Sequence, residues 1–101
     1  MDAWEFDAPK DYLAISLREI AEGRSPILHV SHNLNDGAWQ FLGWDTPKIE
    51  DAVRVCLEDI VALDGSVREL ATLPLGWHAW RRTVIESWVK EPNPYDEKSN
   101  A

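Results

Sequence analysis

The stretch that decides the fold reads ILHVSH at residues 27–32, NLNDG at 33–37 and AWQFLG at 38–43. The first segment is rich in β-branched residues, which favour strands, and the Asn/Asp/Gly cluster after it is typical of a turn. Two strands joined by such a turn are most simply an antiparallel hairpin. Trp39 and Phe41 alternate along the second strand, so we expect both side chains in the core.

Elements on either side of this hairpin predict an α+β fold. Further strands are expected at 13–15, 53–56 and 77–82, and short helices at 17–22, 57–63 and 66–72. We therefore predict one α+β domain over residues 1–91, in which an antiparallel sheet of about four to five strands has short helices packed on one face. Ser16 with Glu19, and Ser66 with Glu69, have the spacing of capping boxes and predict where two of the helices begin.

The segment at residues 76–91 is compatible with two structures. A helix would align Trp77, Trp80 and Trp88 on one stripe, whereas a strand would place Trp77 and Trp80 on opposite faces. Strand-favouring residue types predominate in it. Beyond it, residues 92–101 contain two prolines and no apolar periodicity, which predicts a disordered tail.

Composition and charge restrict the function classes. The 101 residues are 45% hydrophobic and 28% charged, as in ordinary globular domains. A net charge of −8 repels phosphate backbones and anionic headgroups, so we expect neither nucleic acid nor a membrane as a partner. A partner attracted by charge would be basic. The single cysteine, Cys56, cannot form an internal disulfide, and no signal peptide or membrane-spanning run is present, so a cytoplasmic protein is expected.

Two histidines in the first strand suggest a metal or ligand site. His29 and His32 are three residues apart, and Asp36 or His78 could supply a third ligand. On a strand, however, side chains at i and i+3 point to opposite faces, and no cysteine pair completes the set. The His29, His32 and Asp36 region is therefore the basis of an alternative function, a small ligand-binding or metal-dependent enzyme domain. No nucleophile motif or glycine-rich loop indicates a catalytic residue, and we predict no cofactor.

An aromatic and basic cluster stands out near the end of the chain. Its members are Trp77, Trp80, Arg81 and Arg82. Tryptophan and arginine are the residues enriched in protein-binding hot spots. We predict that this cluster contacts a partner, the alternative being plain packing in which arginines stack over indole rings.

The order of short motifs between residues 26 and 88 resembles that of a family. The motifs are DGAWQFL at 36–42, EDA at 50–52, LEDI at 57–60, DGSV at 64–67, LPLGWHAWR at 73–81, and Trp88. They resemble small uncharacterised bacterial proteins related to the immunity-protein-like domains of polymorphic toxin systems. The resemblance implies a strand over 77–82 and a turn between Arg81 and Trp88. It implies no catalytic residue, only matching positions of unknown role: Trp39, Phe41, Pro74, Gly76, Arg81 and Trp88.

We therefore expect a noncatalytic protein-interaction domain, immunity-protein-like, that inhibits a cognate toxin by covering its site. The ligand-binding or metal-dependent enzyme domain is the first alternative. The second is a homodimeric structural protein that associates through its aromatic surface. The sequence leaves open whether the chain is a monomer or a homodimer.

Overall fold

A mixed sheet forms the centre of the molecule. The computed structural model describes residues 4–94, and within them the sheet has six strands in the order β4-β1-β3-β2-β5-β6. The strands are β1 (Leu13–Leu17), β2 (His29–His32), β3 (Trp39–Leu42), β4 (Ala52–Cys56), β5 (Trp77–Trp80) and β6 (Val89–Pro92). Strands β1 and β3 are parallel, and the other neighbouring pairs are antiparallel.

Short helices connect the strands. They are α1 (Arg18–Ala21), α2 (Leu57–Leu63) and two 3-10 helices at Ile49–Asp51 and Gly65–Leu70. The predicted α+β class and the predicted hairpin, now β2 and β3, are confirmed. The sheet has one strand more than the expected four to five, and its β1–β3 pair makes it mixed. No helix of residues 4–94 has the length and apolar character needed to cross a membrane.

The segment at 76–91 forms strands, so the helical alternative is wrong. Strand β5 ends at Trp80, and a turn follows in which the Glu86 amide donates to the Thr83 carbonyl at 3.2 Å. Strand β6 then pairs with β5, so the turn that the resemblance implied between Arg81 and Trp88 joins the two strands of a hairpin. Pro92, the first residue of the predicted tail, ends this strand. Residues 95–101 of that tail lie outside the described residues.

One face of the sheet carries the core. Val30, Phe41 and Ala79 are cross-strand partners, so they share this face, and all three are fully buried. They belong to a buried cluster that also includes Leu57 of α2 and Leu70 of the second 3-10 helix. The helices therefore supply the apolar cover for this side of the sheet.

Both predicted capping boxes are wrong. Ser16 lies in β1, where its hydroxyl donates to the Phe41 carbonyl of β3 at 2.7 Å, and α1 has no side-chain cap. Ser66 lies inside the second 3-10 helix, whose cap is Asp64, since the Asp64 carboxylate accepts from the Ser66 amide at 2.9 Å. The Ser16 hydroxyl thus links β1 to β3. Ser66 instead forms part of the tight turn that begins at Asp64.

The other face of the sheet is only partly covered. His29, Leu42 and Trp80 are cross-strand partners on this face and are half-buried. Leu13 and Val89, which lie on the same face, are exposed. We call this more exposed side of the sheet the open face.

Candidate functional site

A groove lies on the open face, between the strands and the connection that follows β3. The chain leaves β3 at Leu42, and Gly43–Pro47 form one wall of the groove. It has a volume of about 700 Å³, within the usual range of ligand pockets. We call it the aromatic groove, and its lining residues are His29, Leu42, Gly43, Trp44, Asp45, Thr46, Pro47, His78, Trp80 and Arg82.

Two tryptophans form the largest apolar surface of the groove. The rings of Trp44 and Trp80 are stacked, with centroids 6.1 Å apart and planes at 28°. Trp44 is 58% exposed, although a tryptophan can bury ~150 to 250 Å² when it is packed. Sequence analysis assigned no role to Trp44, and its position directly after the strand-ending Gly43 was the available signal.

A chain of hydrogen bonds runs across the sheet beside the tryptophans. Nε2 of His29 lies 3.0 Å from Nδ1 of His78, and Nε2 of His78 lies 3.0 Å from Oε2 of Glu91. Strand register explains these contacts. His78 pairs directly with Glu91 on β6 and with Ser31 on β2, and His29 lies two residues before Ser31 on the same face. Burial first, and the nearby imidazole of His78 second, lower the pKa of His29 below 6.5. Burial therefore favours the neutral form of His29.

The predicted set of His29, His32 and Asp36 is not brought together. His32 Nδ1 lies 2.8 Å from the Leu73 carbonyl, and the ring of His32 stacks on Trp39 with centroids 4.0 Å apart. The Asp36 carboxylate accepts from the Ala38 amide at 2.9 Å within the turn. In the part of the chain that the structure describes, no group of three or more His, Cys, Asp or Glu side chains is arranged to hold a metal ion.

Arg81, predicted to contact a partner, is instead bound entirely within the fold. Its side chain is 2% exposed, and all three of its nitrogens donate. Nε and Nη2 donate to the Ile27 carbonyl at 3.3 and 2.9 Å, and Nη1 donates to the Ser66 hydroxyl at 3.0 Å and to the Val84 carbonyl at 3.3 Å. Nη2 also pairs with the Asp64 carboxylate. A guanidinium has five N–H donors, so Arg81 has none left for a partner.

Asp64 and Trp88 complete this buried cluster. Burial alone would raise the pKa of Asp64, but hydrogen bonds from Ser66 and Arg81 together with the charge of Arg81 outweigh it, so the pKa of that carboxyl is held below 3.8. The Arg81 guanidinium carbon lies 4.1 Å from the centre of the Trp88 ring, and Trp88 Nε1 donates to the Ser66 hydroxyl at 3.3 Å. The alternative that arginine stacks over indole thus describes Arg81.

The remaining members of the predicted cluster separate between the two faces. Trp77 is half-buried and packs against the core cluster. Trp80 and Arg82 line the aromatic groove, and Arg82 is exposed, with its amide donating to the Glu86 carboxylate at 2.9 Å. Trp80 and Arg82 are therefore the two predicted partner-binding residues that line the aromatic groove.

Comparison of the chain with models of protein families, with curated proteins and with solved structures finds no match. Most of the positions matched by the resemblance are packing positions: Trp39, Phe41, Arg81 and Trp88 are buried. Gly76 has a φ of 81°, a conformation that favours glycine. None of these five lines the aromatic groove.

Proposed function

We propose that this chain is a noncatalytic protein-interaction domain whose aromatic groove binds a basic partner protein. The observation that carries the proposal is the exposed Trp44, stacked on Trp80 above a groove in the open face of the sheet. Tryptophans that are packed on one side and open on the other are typical binding hot spots. The preorganised pair loses little conformational freedom when a partner covers it.

The charge of the chain supports a basic partner. The net charge is −8, whereas the two charged residues that line the groove, Asp45 and Arg82, have opposite signs. The negative net charge accelerates the encounter with a positively charged surface. Indole faces also attract cations, so the Trp44 and Trp80 pair and the overall charge favour the same class of partner.

The likeness to immunity-protein-like domains suggests which basic protein to test first. A domain of that kind acts by covering the active site of a toxin, and it needs a shaped surface and no catalytic residue. The aromatic groove offers such a surface. A basic toxin is therefore the first partner to test.

The experiment compares two exposed apolar side chains. The tagged chain is used to isolate a partner, which is then identified, purified and titrated against each variant by calorimetry. Trp44→Ala should weaken binding more than about tenfold, as expected of a hot-spot residue. Ile85→Ala is the matched control, because Ile85 is 90% exposed and lies in the β5–β6 turn outside the groove.

Two outcomes would overturn the proposal. One is a partner that binds Trp44→Ala and the unchanged chain with the same Kd. The other is a dimer of this chain, measured by light scattering, that dissociates in Trp44→Ala, because the occupant of the groove would then be a second copy.

A further inference from the structure

We infer that the aromatic groove recognises an arginine side chain, and that Nδ1 of His29 is the acceptor that selects its guanidinium. This inference rests on the proposed function and names the group that the partner inserts. It follows from the direction of the hydrogen bonds in the chain Glu91, His78, His29. The direction is fixed at one end, because a carboxylate accepts hydrogen bonds and cannot donate them.

The first step concerns His78. Its Nε2 faces Oε2 of Glu91 at 3.0 Å, so Nε2 has to carry the hydrogen. A neutral imidazole has one N–H and one bare nitrogen. In neutral His78 the bare nitrogen is Nδ1.

The second step concerns His29. The bare Nδ1 of His78 faces Nε2 of His29 at 3.0 Å, so this contact is a hydrogen bond only if His29 Nε2 carries the hydrogen. Neutral His29 then has its lone pair on Nδ1. Within residues 4–94 no protein group bonds to that atom. The carboxylate of Glu91 thus places the lone pair of neutral His29 on Nδ1, through the rings of His78 and His29, and His29 lines the groove.

The surroundings of His29 match a guanidinium. The groove contains the stacked faces of Trp44 and Trp80, and Asp45 is a second acceptor in its wall. A guanidinium is planar, stacks on aromatic rings and carries several N–H donors, whereas an ammonium is a compact, strongly hydrated charge. Arginine therefore fits this combination of stacking surface and acceptors better than lysine does.

Acid reverses the acceptor. When His29 is protonated, its Nδ1 carries a hydrogen and a positive charge lies beside the groove. The other charged groups around the pair are Glu91 on β6, Asp45 in the groove wall and Arg82 after β5. Added to Arg82, this charge makes the groove repel a cation.

The first measurement reads the tautomers directly. Long-range 1H–15N correlation spectra of the 15N-labelled chain at about pH 8, where imidazoles are neutral, should show both His29 and His78 with the hydrogen on Nε2. A hydrogen on Nδ1 of His29 in that spectrum would overturn the inference. Glu91→Gln serves as the comparison. Because its amide can donate to His78 as well as accept from it, the substitution no longer fixes the direction of the hydrogen bonds.

The second measurement tests the ligand with a defined probe. N-acetyl-argininamide is titrated into the chain, followed by the indole N–H signals, with N-acetyl-citrullinamide as the neutral probe of the same shape. We expect saturable shifts at Trp44 and Trp80 with the arginine probe, and at least about fivefold weaker binding of the citrulline probe. Equal binding of the two probes, or no shift with either, would overturn the inference.

Variants separate this inference from the proposed function. His29→Phe keeps a ring and removes the acceptor, so it should weaken the arginine probe by about fivefold or more. His29→Asn, which places an amide oxygen near the position of Nδ1, should restore part of that affinity and guards against a folding defect in the phenylalanine variant.

If neither probe binds while Trp44→Ala still weakens the partner, the groove is an interface without arginine recognition. If Trp44→Ala leaves the partner unaffected, the proposed function itself fails.

Discussion

Nε2 of His29 and Nδ1 of His78 lie 3.0 Å apart, although 49 positions separate the two residues in the chain. The contact exists because β5 pairs with β2, which places His78 opposite Ser31 and diagonal to His29 on the open face. The contact joins the β2–β3 hairpin to the β5–β6 hairpin, and a further hydrogen bond from His78 extends it to Glu91 on the edge strand β6. The aromatic groove thus takes its polar wall from two hairpins and its opposite wall from the connection after β3.

Loss of the Arg81 side chain should destabilise the fold strongly. Arg81→Met leaves Asp64 without its charge partner and the Ile27 carbonyl without its donors. Breaking a fully buried ion pair by removing one partner costs about 3–5 kcal/mol. Because the Asp64 side chain is 22% exposed, a loss of about 1–3 kcal/mol is expected here. Urea unfolding measures this loss, and Arg82→Met is the matched control, because Arg82 is exposed and should change the free energy of unfolding by less than about 0.5 kcal/mol. Equal effects of the two substitutions would show that Arg81 has no special structural role.

Stability should fall as the pH drops through the titration range of His29. Burial and His78 lower the pKa of His29 in the folded chain, so below about 6.5 the unfolded chain binds more protons than the folded one. The stabilisation is fully present above that pH and is lost progressively as the pH falls toward the lowered pKa. Urea unfolding at about pH 7.5, 6.5 and 5.5 should show this decline in the unchanged chain and a smaller one in His29→Phe. Identical slopes would contradict the effect.

A second pH effect belongs to the Asp64 cluster and occurs at lower pH. The folded-state pKa of Asp64 lies below 3.8, so its contribution to stability is present above that value and is lost as the pH falls through the lowered pKa. Acid unfolding followed by circular dichroism should therefore show a midpoint at higher pH in Asp64→Asn than in the unchanged chain. An unchanged acid midpoint would mean that the carboxylate adds nothing to the cluster.

Two glycines should respond differently to alanine. Gly76 has a φ of 81°, and an added Cβ would lie 3.6 Å from Leu34, so Gly76→Ala forces a left-handed conformation that costs about 1–2 kcal/mol. Gly65 has no positive φ and no atom within 4 Å of an added Cβ, so Gly65→Ala should be neutral or stabilise by up to about 1 kcal/mol. Thermal unfolding of both variants measures the difference. A Gly76→Ala variant as stable as Gly65→Ala would contradict the turn geometry.

Local signals in the sequence predicted most of the fold. The β2–β3 hairpin was predicted because its turn residues and the alternation of Trp39 and Phe41 are patterns of residues that are close in sequence. Strand β6 was missed because VKEP is short, charged and ends in proline, which is how edge strands are usually built. The parallel pairing of β1 with β3 was also missed, since it joins segments with an unrelated strand and helix between them.

The site was less accessible to sequence reasoning. His29, His78, Trp80 and Arg82 drew attention by residue type, but their meeting in one groove depends on the order of the strands. Glu91 could not be assigned while β6 was unrecognised. Arg81 was predicted to contact a partner because its ion-pair partner Asp64, 17 positions earlier, is not suggested by any local pattern. Residue type identified candidates, and only the topology separated the buried arginine from the exposed one.

The affinity of the isolated partner for Trp44→Ala, set against its affinity for Ile85→Ala, tests the central claim most directly. Both substitutions remove an exposed apolar side chain, and only Trp44 belongs to the aromatic groove. The groove predicts a Kd for Trp44→Ala at least about ten times that of the Ile85→Ala control. Equal Kd values for the two folded variants would show that the partner binds elsewhere and would contradict the account.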